Sequence, residues 1–171
     1  MNIYVDELKI PLGPMTILAC EQSVVRIDYG TQADLAHFHQ QWLEKNVARD
    51  EIVMKQADLN HVKTELSEYF AGERKQFAFD FQLIGTTFQM QVWKALFTSV
   101  PYGKTASYKQ VAAMIDNPKA VRAVGGAVNK NPLTIVVPCH RVIGANGKMV
   151  GYNGGLDKKE YLLHIEANDW Q

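Results

Sequence analysis

The stretch Ser107–Lys130, SYKQVAAMIDNPKAVRAVGGAVNK, decides how the second half of the chain is read. Ser107 followed three residues later by Gln110 has the spacing of a capping box, in which the hydroxyl and the amide each satisfy a free backbone N–H at a helix start. The helix that opens there runs through Val111, Met114 and Ile115. Asn117-Pro118 breaks it, because proline has no N–H to donate and its ring clashes with the preceding turn. Pro118 suits the first turn of a second helix, predicted from Lys119 to about Asn129. Two short helices around a three- or four-residue turn make a helix-turn-helix.

The second helix is unusually small, with Ala120, Ala123, Gly125, Gly126 and Ala127 along it. Each interior glycine costs about 1 kcal/mol relative to alanine. Such a helix pays off where another backbone, either a neighbouring helix or a nucleic acid, must come very close. Arg122 and Lys130 beside the small residues favour a phosphate-rich partner. Small side chains also suit the narrow minor groove better than the bulky polar set that reads base edges in the major groove.

Downstream, the apolar run Leu133 to Val137 is predicted as a buried strand, leading into Pro138-Cys139-His140-Arg141-Val142. A cysteine where a strand leaves the core can serve as a nucleophile once ionised. Neighbouring side chains diverge in both helix and strand, so His140 reaches the Cys139 sulfur only through a sharp turn or a bridging water. A carboxylate that fixes the imidazole tautomer completes such a relay, and Glu166, near the end of the last predicted helix, is the candidate. Taken alone, the pair reads equally well as a small buried hydrophobe beside a satisfied core histidine.

Upstream, the first half alternates like a small α/β unit. Ile3 to Leu8, Met15 to Cys20 and Val24 to Tyr29 are short β-type runs, with Pro11-Leu12-Gly13-Pro14 as the first turn. Leu35, Phe38 and Trp42 recur at helical spacing, as do Leu59, Val62, Leu66 and Tyr69 before Gly72. Phe77, Phe79 and Phe81 alternate as a last strand, and Thr87 is placed to cap a helix that ends at Val100-Pro101-Tyr102-Gly103. Residues 1–82 hold no catalytic constellation, which sets an expected supporting domain 1–82 and an active, DNA-binding domain 83–171.

Charge separates the same halves. The chain is neutral overall, yet residues 1–85 hold 8 Lys/Arg against 13 Asp/Glu, and residues 86–171 hold 10 against 5. A basic half joined to an acidic one points to a polyanion partner for the basic half, or to a solvated basic face. No apolar run is long enough to span a bilayer and no signal peptide is present, so a cytoplasmic protein is expected. Two cysteines, Cys20 and Cys139, support neither a disulfide framework nor a cysteine-rich zinc site.

The motifs Val137-Pro138-Cys139-His140-Arg141-Val142, Arg122-Ala123-Val124-Gly125-Gly126-Ala127, Asn131-Pro132, Ser107-Tyr108, Gly151-Tyr152 and Lys159-Glu160-Tyr161-Leu162-Leu163 together closely resemble the O6-alkylguanine-DNA alkyltransferases. The likeness runs from about Thr86 to Glu166; the first 80 residues resemble the family's ribonuclease-H-like half only in pattern. The resemblance implies an α/β N-terminal half with a three-stranded sheet and helices, and a mainly α C-terminal half with a helix-turn-helix. It implies direct, irreversible and stoichiometric transfer of an alkyl group from O6-alkylguanine, and from O4-alkylthymine, in double-stranded DNA to Cys139.

Roles follow from the same resemblance. His140, acting through a water and backed by Glu166, ionises Cys139. Asn131 holds the segment around the active loop. Tyr108 presses on the 3′ phosphate and donates a proton toward guanine N3. Arg122 fills the place of the flipped nucleotide, while Ala120, Gly125, Gly126 and Lys130 belong to the DNA-facing helix. Pro138, Val142 and Tyr152 line the pocket, and the backbone around Asn153 and Gly154 donates toward the base oxygen. Asn153 stands where relatives often carry serine or tryptophan, which leaves the accepted adduct size open.

No cofactor is implied, since the damaged base is itself the donor, and no metal, since Cys20 alone cannot supply the zinc ligands of some relatives. The chain looks like the stand-alone bacterial form, without a phosphotriester-sensing domain, and is expected to be a monomer. Two other readings are an alkyltransferase-like damage sensor, which would lack the reactive cysteine, and a helix-turn-helix regulator, which would not require Pro-Cys-His-Arg. A cysteine hydrolase with His140 as base leaves the glycine-rich helix unexplained.

Overall fold

The computed structural model describes residues 1–47 and 50–167, and the chain divides into two compact units, 1–84 and 85–171. Residues 168–171 of the expected second domain lie outside the described residues.

In the first unit, β1 (Asn2–Ile10), β2 (Gly13–Cys20) and β3 (Ser23–Tyr29) form an antiparallel meander. Gly13, at φ 108°, takes the left-handed position of the first turn, a conformation that side-chain-bearing residues rarely adopt. Helix α1 (Gln32–Asn46) begins where the Thr31 hydroxyl accepts from the Asp34 amide at 3.1 Å. Strand β4 (Val53–Gln56) then pairs parallel to β1, and helix α2 (Asn60–Phe70) follows. Ile3, Val5, Leu18, Val25 and Leu43 form a solvent-free cluster, packed against by Trp42, Ile52 and Ile84.

The sheet therefore has four strands, in the order β3-β2-β1-β4, where three were expected. All four residues of β4 are exposed, so they show no inward-outward alternation for a sequence reading to detect. The Phe77-Phe79-Phe81 alternation does not build a strand. Phe81 makes one isolated bridge to Val24, while the Phe77 ring packs on Tyr69 and Phe79 at 5.7 and 5.6 Å. The spacing serves ring packing along α2 rather than a ladder.

In the second unit, α3 (Thr87–Ser99) is capped by Thr86, not Thr87; Thr86 and Gln89 complete a reciprocal box at 3.1 and 3.0 Å. Strand β5 (Ala106–Ser107) runs into α4 (Tyr108–Met114), where Ser107 and Gln110 form the expected box at 3.0 and 2.8 Å. Helix α5 spans Val121–Asn129, starting two residues later than predicted, with Pro118 in the preceding turn. The connection between α4 and α5, residues 115–120, is longer than the three or four residues expected. Asp116, at φ 55°, reverses the chain before Asn117-Pro118.

Leu133 to Val137 is a buried irregular segment rather than a strand. It folds on itself, with the Val137 amide donating to the Leu133 carbonyl at 2.9 Å and Ile135 held at φ 75°. A β-branched residue at positive φ is strained, so surrounding contacts must hold it there. After the single 3₁₀ turn Cys139–Arg141, strand β6 (Val142–Ile143) pairs parallel to β5, and α6 (Leu156–Glu166) closes the unit. Among the described residues no helix is long and apolar enough to cross a membrane.

Candidate active site

The 3₁₀ turn supplies the sharp bend that adjacent Cys139 and His140 require if both are to face one buried region. Cys139 is 5% exposed and His140 is fully buried. Asn131 clamps the segment before the turn. Its amide nitrogen donates to the Val137 carbonyl at 2.8 Å and to the Cys139 sulfur at 3.2 Å, while its side-chain oxygen accepts from the Leu133 amide at 2.9 Å. One side chain thus satisfies backbone groups that a partner strand would otherwise serve, and it aims a donor at the sulfur.

His140 Nε2 lies 2.6 Å from Glu166 Oε2. Arg141 donates to the same carboxylate, Nε to Oε1 at 2.6 Å and Nη2 to Oε2 at 3.2 Å, and its Nη1 donates to the Val100 carbonyl at 2.7 Å. Burial would push the Glu166 carboxyl up, but His140 and Arg141 hold it down to about 2. Burial pushes the His140 imidazole below its usual value more strongly than Glu166 raises it. The pair is therefore a neutral imidazole against a carboxylate whose charge Arg141 balances.

With Nε2–H donating to Glu166, the lone pair sits on Nδ1, which is buried without a protein hydrogen-bond partner. That nitrogen is the basic one. Burial raises the Cys139 thiol above its ordinary range, and the Asn131 hydrogen bond and the Lys159 charge offset this only in part. The resting thiol is protonated, which makes a nearby base chemically necessary.

Sequence reasoning gave no role to Arg141 or Lys159. Arg141 stood inside the quoted motif, so position was a usable signal. Lys159 carried one too, since it lies three residues before Leu162 on the face of α6 that also buries Ile165 and Glu166. Lysine on a buried face is rare without a partner.

The remaining candidates spread over three elements. The Tyr108 hydroxyl, on α4, donates to the Val150 carbonyl at 3.3 Å, and burial raises its phenol above the usual value, followed by the Cys139 charge. Val142 follows the nucleophile turn and is buried, as is Pro138. Tyr152, Asn153 and Gly154 occupy the connection between β6 and α6, with Asn153 exposed.

On α5, Val124, Ala127 and Val128 are buried, and Trp93 of α3 donates to the Ala127 carbonyl at 2.9 Å. Arg122, Ala123, Gly126 and Lys130 are exposed, while Ala120 and Gly125 are half-buried. A methyl group built on Gly126 would meet nothing within 4 Å, and one on Gly125 only the Tyr108 ring at 3.8 Å. Close packing between helices therefore does not account for either glycine.

Among the described residues no three His, Cys, Asp or Glu side chains cluster to hold a metal. The first unit has a cleft of about 470 Å³ beside Glu21, His61, Glu65 and Asp80, but it contains none of the residues above.

Residues 87–168 match the family described as the DNA-binding domain of 6-O-methylguanine DNA methyltransferase, and residues 3–83 match its ribonuclease-like domain. The chain is 38% identical to a methylated-DNA–protein-cysteine methyltransferase of Methanosarcina barkeri, over 98% of this chain and 99% of that protein. It is 42% identical to a protein of the same name from Mycobacterium leprae, over 97% and 93%. It is also similar to the crystal structure of Mycobacterium tuberculosis OGT in complex with DNA, with a TM-score of 0.78 at 36% identity, covering 98% of this chain and 93% of that one.

Proposed function

The chain belongs to the 6-O-methylguanine DNA methyltransferase family, and on that premise we propose that it repairs DNA by moving an alkyl group irreversibly from the O6 of guanine, or the O4 of thymine, onto its own Cys139. The observation that carries this reading is the buried Cys139 sulfur, which takes a hydrogen bond from Asn131 one residue before the His140–Glu166 pair.

The small outward face of α5 approaches the minor groove of double-stranded DNA, with Ala120, Gly125, Gly126 and Lys130 against the backbone. The damaged nucleotide rotates out of the stack at a cost of a few kcal/mol, less where damage has already weakened pairing. Arg122 occupies the space it leaves, and Tyr108 presses the 3′ phosphate. The base enters beside Pro138, Val142, Tyr152, Asn153 and Gly154.

His140 Nδ1 takes the thiol proton through a water, and Glu166 and Arg141 hold the imidazole in the orientation that allows it. The thiolate attacks the alkyl carbon, the carbon–oxygen bond breaks, and the electron pair stays on the base oxygen. Tyr108 donates toward guanine N3 as that charge develops; His140 then releases the thiol proton to solvent and solvent returns one to Tyr108, so the net result is one thiol proton delivered to the base. The product is a thioether, whose carbon–sulfur bond thiol exchange and ordinary reductants do not cleave, and each molecule acts once. Its place of action is the cytoplasm, as a monomer, on alkylated duplex DNA.

The test is the intact mass of the protein, with peptide mapping, after mixing with a duplex carrying one O6-methylguanine. One added methyl group, confined to Cys139 and saturating at one per molecule, is expected. An unmodified protein that still binds that duplex would replace this reading with a damage-sensing or regulatory role.

A further inference from the structure

Lys159 carries a charge that the His140–Glu166 chemistry does not use. It is the one buried lysine among the described residues, with 0% exposure, and no carboxylate there pairs with it. Its ammonium instead donates to three carbonyls: Val142 at 2.5 Å, Val150 at 2.8 Å and Gly151 at 3.2 Å.

Those carbonyls come from two separate pieces of chain. Val142 closes the nucleophile turn, and its own N–H donates to the Cys139 carbonyl. Val150 and Gly151 lie on the connection leading to Tyr152, and the Val150 carbonyl also accepts from the Tyr108 hydroxyl. A single nitrogen therefore joins α6, the nucleophile turn, the pocket connection and, through a shared carbonyl, the start of α4.

Carbonyl dipoles can solvate a buried ammonium, but they leave a net positive charge inside the unit. The Tyr108 hydroxyl of α4 shares the ammonium's Val150 carbonyl, and the Lys159 charge is felt by Cys139 and His140 of the turn, where His140 and Arg141 meet Glu166 of α6. Glu166 is already engaged by His140 and Arg141. Cys139 is the group in this set that becomes an anion during the transfer.

We propose that Lys159 is a positioning residue for the transfer, its sealed ammonium pinning the 150–151 connection to the nucleophile turn and supplying the positive charge that the ionised Cys139 answers. This rests on Cys139 being the acceptor. The electrostatics agree in direction: burial lowers the Lys159 ammonium, and Cys139 works against that.

The experiment compares wild type with Lys159→Met and Lys159→Gln by the rate at which iodoacetamide modifies Cys139, followed by peptide mapping across pH. Gln keeps hydrogen-bond donors and loses the charge. Both variants should show a midpoint raised by about one pH unit, roughly a tenfold slower reaction near neutrality. A folded Lys159→Gln protein with the wild-type profile overturns the proposal.

Because iodoacetamide needs no DNA, failure here is distinct from failure of wild type to gain a methyl group from the modified duplex. Should both variants misfold, the ¹⁵Nζ resonance of Lys159 in wild type, recognisable by slow solvent exchange, decides. It should move when Cys139 is carbamidomethylated, and an unmoved resonance overturns the proposal.

Discussion

His140 Nε2 and Glu166 Oε2 lie 2.6 Å apart with side chains 0% and 2% exposed, and Arg141 grips the other side of the same carboxylate. The arrangement gives Glu166 a share in acid stability. Glu166 is held at about 2 in the folded protein against an ordinary 4.5. A depressed carboxyl contributes stability that is complete above about pH 4.5 and is lost as pH falls toward 2. Burial of neutral His140 adds a loss that begins as pH falls through the range where a free imidazole protonates. Glu166→Gln should lower stability at pH 7 by about 3 kcal/mol, since it leaves Arg141 buried and unpaired, and should flatten the loss between pH 4.5 and 2. Urea unfolding at several pH values checks both.

Cys139→Ala should abolish methyl transfer while leaving affinity for duplex DNA within about twofold. The substitution removes a buried sulfur at the start of the 3₁₀ turn and leaves the exposed residues Arg122, Gly126 and Lys130 in place. Gel-shift titration on modified duplex, beside mass spectrometry for transfer, separates the two effects. Loss of binding together with transfer would mean that the turn itself depends on the sulfur.

Asn131 serves two backbone groups and the sulfur at once. Asn131→Ala leaves the Val137 carbonyl and the Leu133 amide buried without that partner, and should cost about 2–4 kcal/mol in denaturant unfolding. Asn131→Asp can still accept from Leu133 but cannot donate as an ionised carboxylate, and it sets a negative charge near the thiolate. It should therefore slow iodoacetamide modification of Cys139 more than Asn131→Ala does. The reverse order would remove the electrostatic part of the assignment.

Asn131 also explains where the sequence was hard to read. The Ser107–Gln110 box was legible because its two hydrogen bonds are local, and the residue types alone announce them. Leu133 to Val137 was not, because a five-residue apolar run is buried equally well as a strand or as a fold-back held by the Asn131 side chain. Strand β4 escaped for the opposite reason, its exposed residues carrying no apolar period. The His140–Glu166 contact was legible by residue type and resemblance, whereas the charges of Arg141 and Lys159 gained meaning only when burial showed that each must be compensated.

Arg122 stands on the exposed side of α5, away from the Val124, Ala127 and Val128 face that packs into the unit. Its assigned task is to fill the place of the rotated nucleotide, which exists only in a duplex. Arg122→Ala should therefore slow transfer from double-stranded O6-methylguanine by at least about tenfold, the equivalent of roughly 1.4 kcal/mol of a flipping cost of a few kcal/mol. Transfer from the free O6-substituted base should change far less, because nothing has to be flipped. Single-turnover rates on the two substrates give the ratio directly. Equal losses on both would place Arg122 in the folding or chemistry of the pocket and take the finger role from it, whereas a loss confined to the duplex assigns the outward face of α5 to opening the stack.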